Sequence, residues 1–173
     1  MKKLSYVLRH NPASIGITLD ENGYAFVDEL IIGFNEQGSN LDKSTLIKIV
    51  NSDTKERYSF NSDKTKIRAN YGHTFSVDLG QKPLSPPDVL YHGTADKNID
   101  SILECGIRKE KRNYVHLTTD TAMALAVGER YGNAVIFKVN ALQMSNDGFV
   151  FYKSGKVWLT DYVPKGYLSL IRH

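Results

Sequence analysis

Near the middle of the chain, Lys82-Pro83-Leu84-Ser85-Pro86-Pro87-Asp88 places three prolines within five residues. Proline has no amide donor and holds φ at about −65°, so neither a helix interior nor a central strand can run through this stretch. It reads as a linker over 83–88, joining a lobe at 1–82 to a lobe at 89–173. Residues 1–87 carry 11 cations and 10 anions, and residues 88–173 carry 11 and 9. Neither side is therefore a charged tail. The net charge of +3 is too small to bind a polyanion by bulk attraction, so nucleic-acid contacts would need locally placed cations. The one cysteine, Cys105, excludes a disulfide framework and a four-thiolate zinc site, and fits a reducing compartment. No window approaches the ~20 apolar residues needed to span a bilayer, which makes the cytoplasm the expected location.

In the first lobe, Leu4, Val7 and Leu8 share one helical face, and Asn11-Pro12 ends that helix. Asp20-Glu21-Asn22-Gly23 is a turn, and Asp28 or Asp42 could cap a following helix. Leu46, Ile49 and Val50 form a second apolar stripe. Arg57–Phe60 and Lys66–Ala69 flank the polar turn at 61–64 and predict a hairpin. Helices followed by a hairpin describe a winged helix. The second lobe predicts short strands at Val89–Tyr91, Tyr114–Leu117, Ala134–Asn140, Phe149–Tyr152, Lys156–Leu159 and Tyr167–Ile171. Two helices interrupt them, near 97–105 and 120–131, each meeting a glycine (Gly106, Gly132) suited to a C-terminal cap. The expected class is α+β.

Several short motifs could carry chemistry, although each has an ordinary structural use. Arg9-His10 at a helix end could satisfy the terminal carbonyls, or serve as a bidentate phosphate clamp with a proton carrier beside it. Lys55 and Arg57, and Lys66 and Arg68, are expected to share strand faces, near the Gly72-His73 turn. Such cations are either a solvated face or a grip on phosphates. His92-Gly93-Thr94 is expected to end the first strand of the second lobe, with Gly93 allowing a ligand close to the backbone. His116 is a second strand-borne histidine. Two histidines and a lone cysteine at these spacings do not form a zinc site, so no metal is expected, and no glycine-rich phosphate loop occurs.

Taken in order, Leu8-Arg9-His10, Lys55-x-Arg57-Tyr58, Ile67-Arg68-Ala69-Asn70-x-Gly72-His73, Leu90-Tyr91-His92-Gly93-Thr94 and Arg112-x-x-Val115-His116-Leu117 closely resemble the RNA 2′-phosphotransferase family. Asp147-Gly148-Phe149-x-Phe151-Tyr152-x-Ser154 and Val157-Trp158-Leu159-Thr160 continue the likeness across both lobes. The resemblance implies an N-terminal winged-helix RNA lobe and a C-terminal ADP-ribosyltransferase-like lobe. It implies NAD as co-substrate and a substrate RNA bearing an internal 2′-phosphate of the tRNA splice-junction type. It assigns catalysis to Arg9, His10, Arg57 and Arg112. NAD contacts fall on His92, Gly93, Thr94 and His116, extended to Thr118, Gly128 and Arg130, and RNA or phosphate contacts on Lys55, Arg68, Gly72 and His73. The chain departs from the usual pattern at Tyr71 (commonly Gln), Tyr114 (commonly His) and Tyr58 (commonly Phe), which bears on substrate preference.

The implied reaction has two steps. The 2′-phosphate attacks the anomeric carbon of the nicotinamide ribose and nicotinamide leaves; the neighbouring 2″-hydroxyl then attacks phosphorus and expels the RNA oxygen. Products are 2′-hydroxyl RNA and ADP-ribose 1″,2″-cyclic phosphate. The attacking group is already an anion and needs no general base, which agrees with the absence of glutamate between Asn146 and Lys153. Two alternatives stay open: an ADP-ribosyltransferase acting on phosphorylated nucleic-acid ends or other acceptors, and a winged-helix nucleic-acid-binding regulator without catalysis. A monomer is expected.

Overall fold

The computed structural model describes residues 2–171. The chain forms two compact units, Met1–Gly80 and Gln81–His173. Both mix helices with small antiparallel sheets, consistent with an α+β class.

In the first unit, α1 (Lys2–Arg9) buries Leu4, Val7 and Leu8, the face set by their i, i+3, i+4 spacing. It stops before Pro12, which opens a single 3-10 turn (Pro12–Ile15). Then follow β1 (Tyr24–Phe26), α2 (Val27–Glu36), α3 (Lys43–Asn51), β2 (Tyr58–Phe60) and β3 (Lys66–Ala69). The sheet order is β1-β3-β2, antiparallel, with Tyr24 opposite Arg68 and Tyr58 opposite Ala69. Leu8, Leu30, Leu46 and Ile67 are fully buried between helices and sheet. Burying each such side chain is worth about 1.5–3 kcal/mol.

Of the two candidate caps, Asp42 serves: its carboxylate accepts from Thr45 N at 2.6 Å, worth about 1 kcal/mol. Asp28 does not cap. It lies inside the first turn of α2, whose N-cap is Phe26, where its charge faces the positive end of the helix dipole. The hairpin β2–β3 forms, but Lys55 and Arg57 do not share a strand face. Both precede β2, and Glu56 between them has φ 48°, a left-handed conformation that no strand accommodates.

The second unit comprises β4 (Val89–Ala95), α4 (Ile99–Cys105), β5 (Ile107–Arg108), β6 (Val115–Leu117), α5 (Thr121–Gly128), β7 (Ala134–Asn140), α6 (Ala141–Asn146), β8 (Tyr152–Ser154), β9 (Val157–Thr160), β10 (Tyr162–Val163) and β11 (Leu168–Ile171). Three antiparallel sheets result, ordered β11-β7-β4, β6-β9-β8 and β10-β5. Phe137, Val139, Leu90 and Phe151 are fully buried in its core.

Four expectations change here. The first strand runs on to Ala95, so His92-Gly93-Thr94 lies within β4 rather than in a turn after it. The strand expected from Phe149 starts only at Tyr152, because Phe149 N closes α6 by donating to Met144 O. Helix α6 is a third helix beyond the two expected; Asn140 caps it by accepting from Gln143 N. Gly106 does follow α4 with φ 76°, whereas α5 ends at Gly128 and Gly132 belongs to the turn into β7.

Candidate active site

In the first unit, two of the expected catalytic residues, Arg9 and Arg57, gather around Tyr58, Tyr71 and Asp53. The carbonyl of Arg9 at the end of α1 accepts from Thr74 N at 3.0 Å. The guanidinium itself lies over the Tyr71 ring, 4.8 Å from its centroid, a cation–π contact. Next along the chain, His10 Nδ1 and Thr74 Oγ1 are 3.2 Å apart.

Arg57 is held from the other side. The Asp53 side chain, only 2 % exposed, accepts from Arg57 N at 2.6 Å and forms an ion pair with Arg57 Nη1. The Tyr71 hydroxyl donates to Lys55 O at 2.7 Å, which ties the ring under Arg9 to the turn that carries Arg57. Burial raises the pKa of the Tyr71 phenol above its usual value, against the opposing pull of Arg9 and Arg57. Tyr58 behaves alike: burial dominates, Ser5 bonds its hydroxyl, and both arginines act on it. Two phosphate-competent guanidinium groups thus sit within electrostatic reach of the same phenols, each held in place by its own partner.

Two other cations of this unit, Arg68 and Lys66, are engaged elsewhere. Arg68 lies over Tyr24, 4.8 Å from its centroid, and donates to Leu79 O. Lys66 pairs with Asp20 at 3.1 Å. His73 is buried and edge-on to Phe75 at 5.6 Å. Gly72 is buried with φ 87°, so the turn before His73 needs a residue without Cβ.

In the second unit, two sheets meet where Tyr91 and Thr118 exchange backbone bonds, Tyr91 N to Thr118 O at 2.7 Å and the reverse at 3.0 Å. His92 and His116 stand beside this junction. His92 Nδ1 lies 3.1 Å from His116 O. A carbonyl only accepts, so Nδ1 carries the proton and Nε2 is left as an acceptor. Burial lowers the His92 pKa, which keeps the ring neutral and preserves that acceptor.

Gly93 and Gly128 have another use besides the one expected. A Cβ on Gly93 would lie 1.7 Å from Ala124 O, and one on Gly128 would lie 2.6 Å from Thr94 O. The space freed by both glycines is taken by the packing of α5 on β4. Thr94 and Thr118 are buried; Thr94 Oγ1 accepts from Asn98 Nδ2, and Thr118 Oγ1 accepts from Asp120 N just before α5. Arg130 is exposed beyond α5. Arg112 is half-buried in a turn, its N donating to Lys109 O at 2.9 Å. Tyr114 packs against Tyr152 with centroids 5.7 Å apart.

Residues 1–162 match the family model described as RNA 2′-phosphotransferase, Tpt1 / KptA family. The chain belongs to the RNA 2′-phosphotransferase family. Relatives named "Probable RNA 2′-phosphotransferase" agree over nearly their full length. One from Nostoc punctiforme is 46 % identical over 171 residues, covering 98 % of this chain and 94 % of that protein. One from Agrobacterium fabrum is 46 % identical over 170 residues, covering 98 % and 91 %. The family is one of transferases, which removes the purely binding role from consideration. Within it, Asp53 and the stacking role of Tyr71 are what motif reading misses. The available signal was an aspartate just ahead of Lys-x-Arg, a spacing at which a carboxylate can accept from the following backbone amides.

Proposed function

We propose that this chain removes an internal 2′-phosphate from RNA, of the tRNA splice-junction type, with NAD as co-substrate. Its first unit acts as a winged-helix RNA lobe, a reading supported by the order α1-β1-α2-α3-β2-β3. Its second acts as an ADP-ribosyltransferase-like lobe that holds NAD. The observation that carries the proposal is that Arg9 and Arg57 both act on Tyr71, with the guanidinium groups oriented in advance by Tyr71 and Asp53.

NAD supplies an electrophilic anomeric carbon with nicotinamide as leaving group. The donor set suits such a ligand: a neutral His92 offers Nε2 to a ribose hydroxyl, beside His116 at the sheet junction. Arg9 and Arg57 bind the 2′-phosphate, and each planar guanidinium matches two phosphoryl oxygens. Because they are already in position, they stabilise charge building on those oxygens without reorganisation. The family resemblance assigns Arg112 to the phosphoryl group as well. His10 can donate a hydrogen bond or deliver a proton to the departing RNA oxygen.

The test is turnover of an internally 2′-phosphorylated oligonucleotide by wild type, Arg57→Ala and Arg112→Ala. Each substitution is expected to leave the fold intact and cost about 3–4 kcal/mol of transition-state stabilisation, a hundred- to thousandfold. Activity should need NAD and survive a chelator. Near-wild-type rates in either variant, or rescue of a chelated enzyme by a divalent ion, would contradict the proposal.

A further inference from the structure

One face of α1 carries residues that the transfer chemistry leaves unused. Lys2 and Lys3 lie one turn from Tyr6, and the same row continues one turn on to Arg9 and His10. The opposite face is the buried one, with Leu4, Val7 and Leu8. The helix contains three cations and no carboxylate. Tyr6 is 49 % exposed, although an aromatic ring of that size is ordinarily well covered. Its orientation is nonetheless held: the hydroxyl accepts from Asn11 Nδ2 at 3.3 Å, and its ring centroid is 6.1 Å from that of His10.

We propose that this row is a docking track for the single-stranded RNA flanking the 2′-phosphate. Tyr6 is the stacking platform for one nucleobase, and Lys2 and Lys3 meet the backbone phosphates beyond it. The inference rests on the assignment of Arg9 and His10 to the 2′-phosphate. Once that phosphate is held, the nearest bases lie within a few ångströms of the same helix face, and Tyr6 is the exposed ring there. An aromatic ring between cations is the arrangement that binds single strands without sequence preference, because every base has a π-face. The carboxylate-free face complements a polyanion. Lys3 Nζ lies 5.6 Å from the Phe34 ring centroid, which steadies the lysine on this surface.

The experiment measures kcat/KM with NAD for an internally 2′-phosphorylated oligonucleotide. Three further substrates are abasic at the phosphorylated nucleotide or at one of its two neighbours. Tyr6→Ala should lower kcat/KM for the intact RNA about five- to 150-fold, the equivalent of about 1–3 kcal/mol of stacking, and Tyr6→Phe should restore most of it. One abasic substrate should cost wild type a similar factor, and on that substrate Tyr6→Ala should lose nothing more. The double variant Lys2→Ala, Lys3→Ala should flatten the slope of log(kcat/KM) against log salt by up to about 1.4, or about 0.7 for each single-strand phosphate contact. Equal losses for Tyr6→Ala on every substrate, or none, would overturn the stacking role. An unchanged salt slope would overturn the track. If wild type leaves the 2′-phosphate in place, the proposed reaction fails instead, and equilibrium binding of the same oligonucleotides to the same variants decides the track by the same criteria.

Discussion

Replacing Asp53 with alanine should damage the first unit twice, once in stability and once in the alignment of Arg57. The carboxylate is buried and accepts from Arg57 N and Arg57 Nη1. A hydrogen bond to a charged group contributes about 1.5–3 kcal/mol. The Arg57 side chain is 19 % exposed, so solvent screening puts the ion pair at the low end of that range or below. The two together give about 2–4 kcal/mol. A domain of this size loses about 4–8 °C per kcal/mol, which predicts a fall in its melting temperature of about 10–30 °C by calorimetry. Arg57→Ala should cost less, because the turn keeps its backbone bond to Asp53. Turnover should fall in both, and the double variant should be little slower than Arg57→Ala alone, since the carboxylate acts on the reaction through that arginine. A melting shift under a few degrees for Asp53→Ala, or additive losses of turnover in the double variant, would refute this reasoning.

Three further outcomes are expected. Arg112→Ala should slow the second step more than the first and accumulate RNA–phosphate–ADP-ribose on a denaturing gel, whereas His92→Ala should leave unreacted RNA; the reverse pattern would break this division of labour. Because burial lowers the His92 pKa from its ordinary 6.5, the unfolded chain binds the extra proton first as pH falls, so stability drops below about 6.5. His92→Gln should flatten that part of a pH–denaturation profile, and an unchanged slope would contradict the buried neutral ring. Gly93→Ala drives a methyl into the α5 backbone and should destabilise the second unit by about 3 kcal/mol or more, read as loss of its thermal transition; a wild-type melt would count against the packing.

Local signals were legible in the sequence, and signals depending on distant partners were not. The face of α1, its stop before Pro12 and the β2–β3 hairpin follow from spacing and turn chemistry alone. Asp28 and Asp42 have equal capping chemistry, and only the start of α2 at Val27 separates them. The alternation of Lys-x-Arg fits a strand, but Asp53 bends the chain there. The pairing of His92 with His116 spans 24 residues and depends on how two sheets join. Gly93 was legible as a close approach, but its partner proved to be a helix of the same unit.

NAD-dependent removal of the 2′-phosphate is measured by incubating the protein with NAD and an internally 2′-phosphorylated oligonucleotide and weighing every product by mass spectrometry. The expected products are RNA lighter by one phosphoryl group, together with equal amounts of nicotinamide and ADP-ribose 1″,2″-cyclic phosphate. Release of inorganic phosphate with NAD intact, or ADP-ribose left on the RNA as the end product, would contradict this reaction.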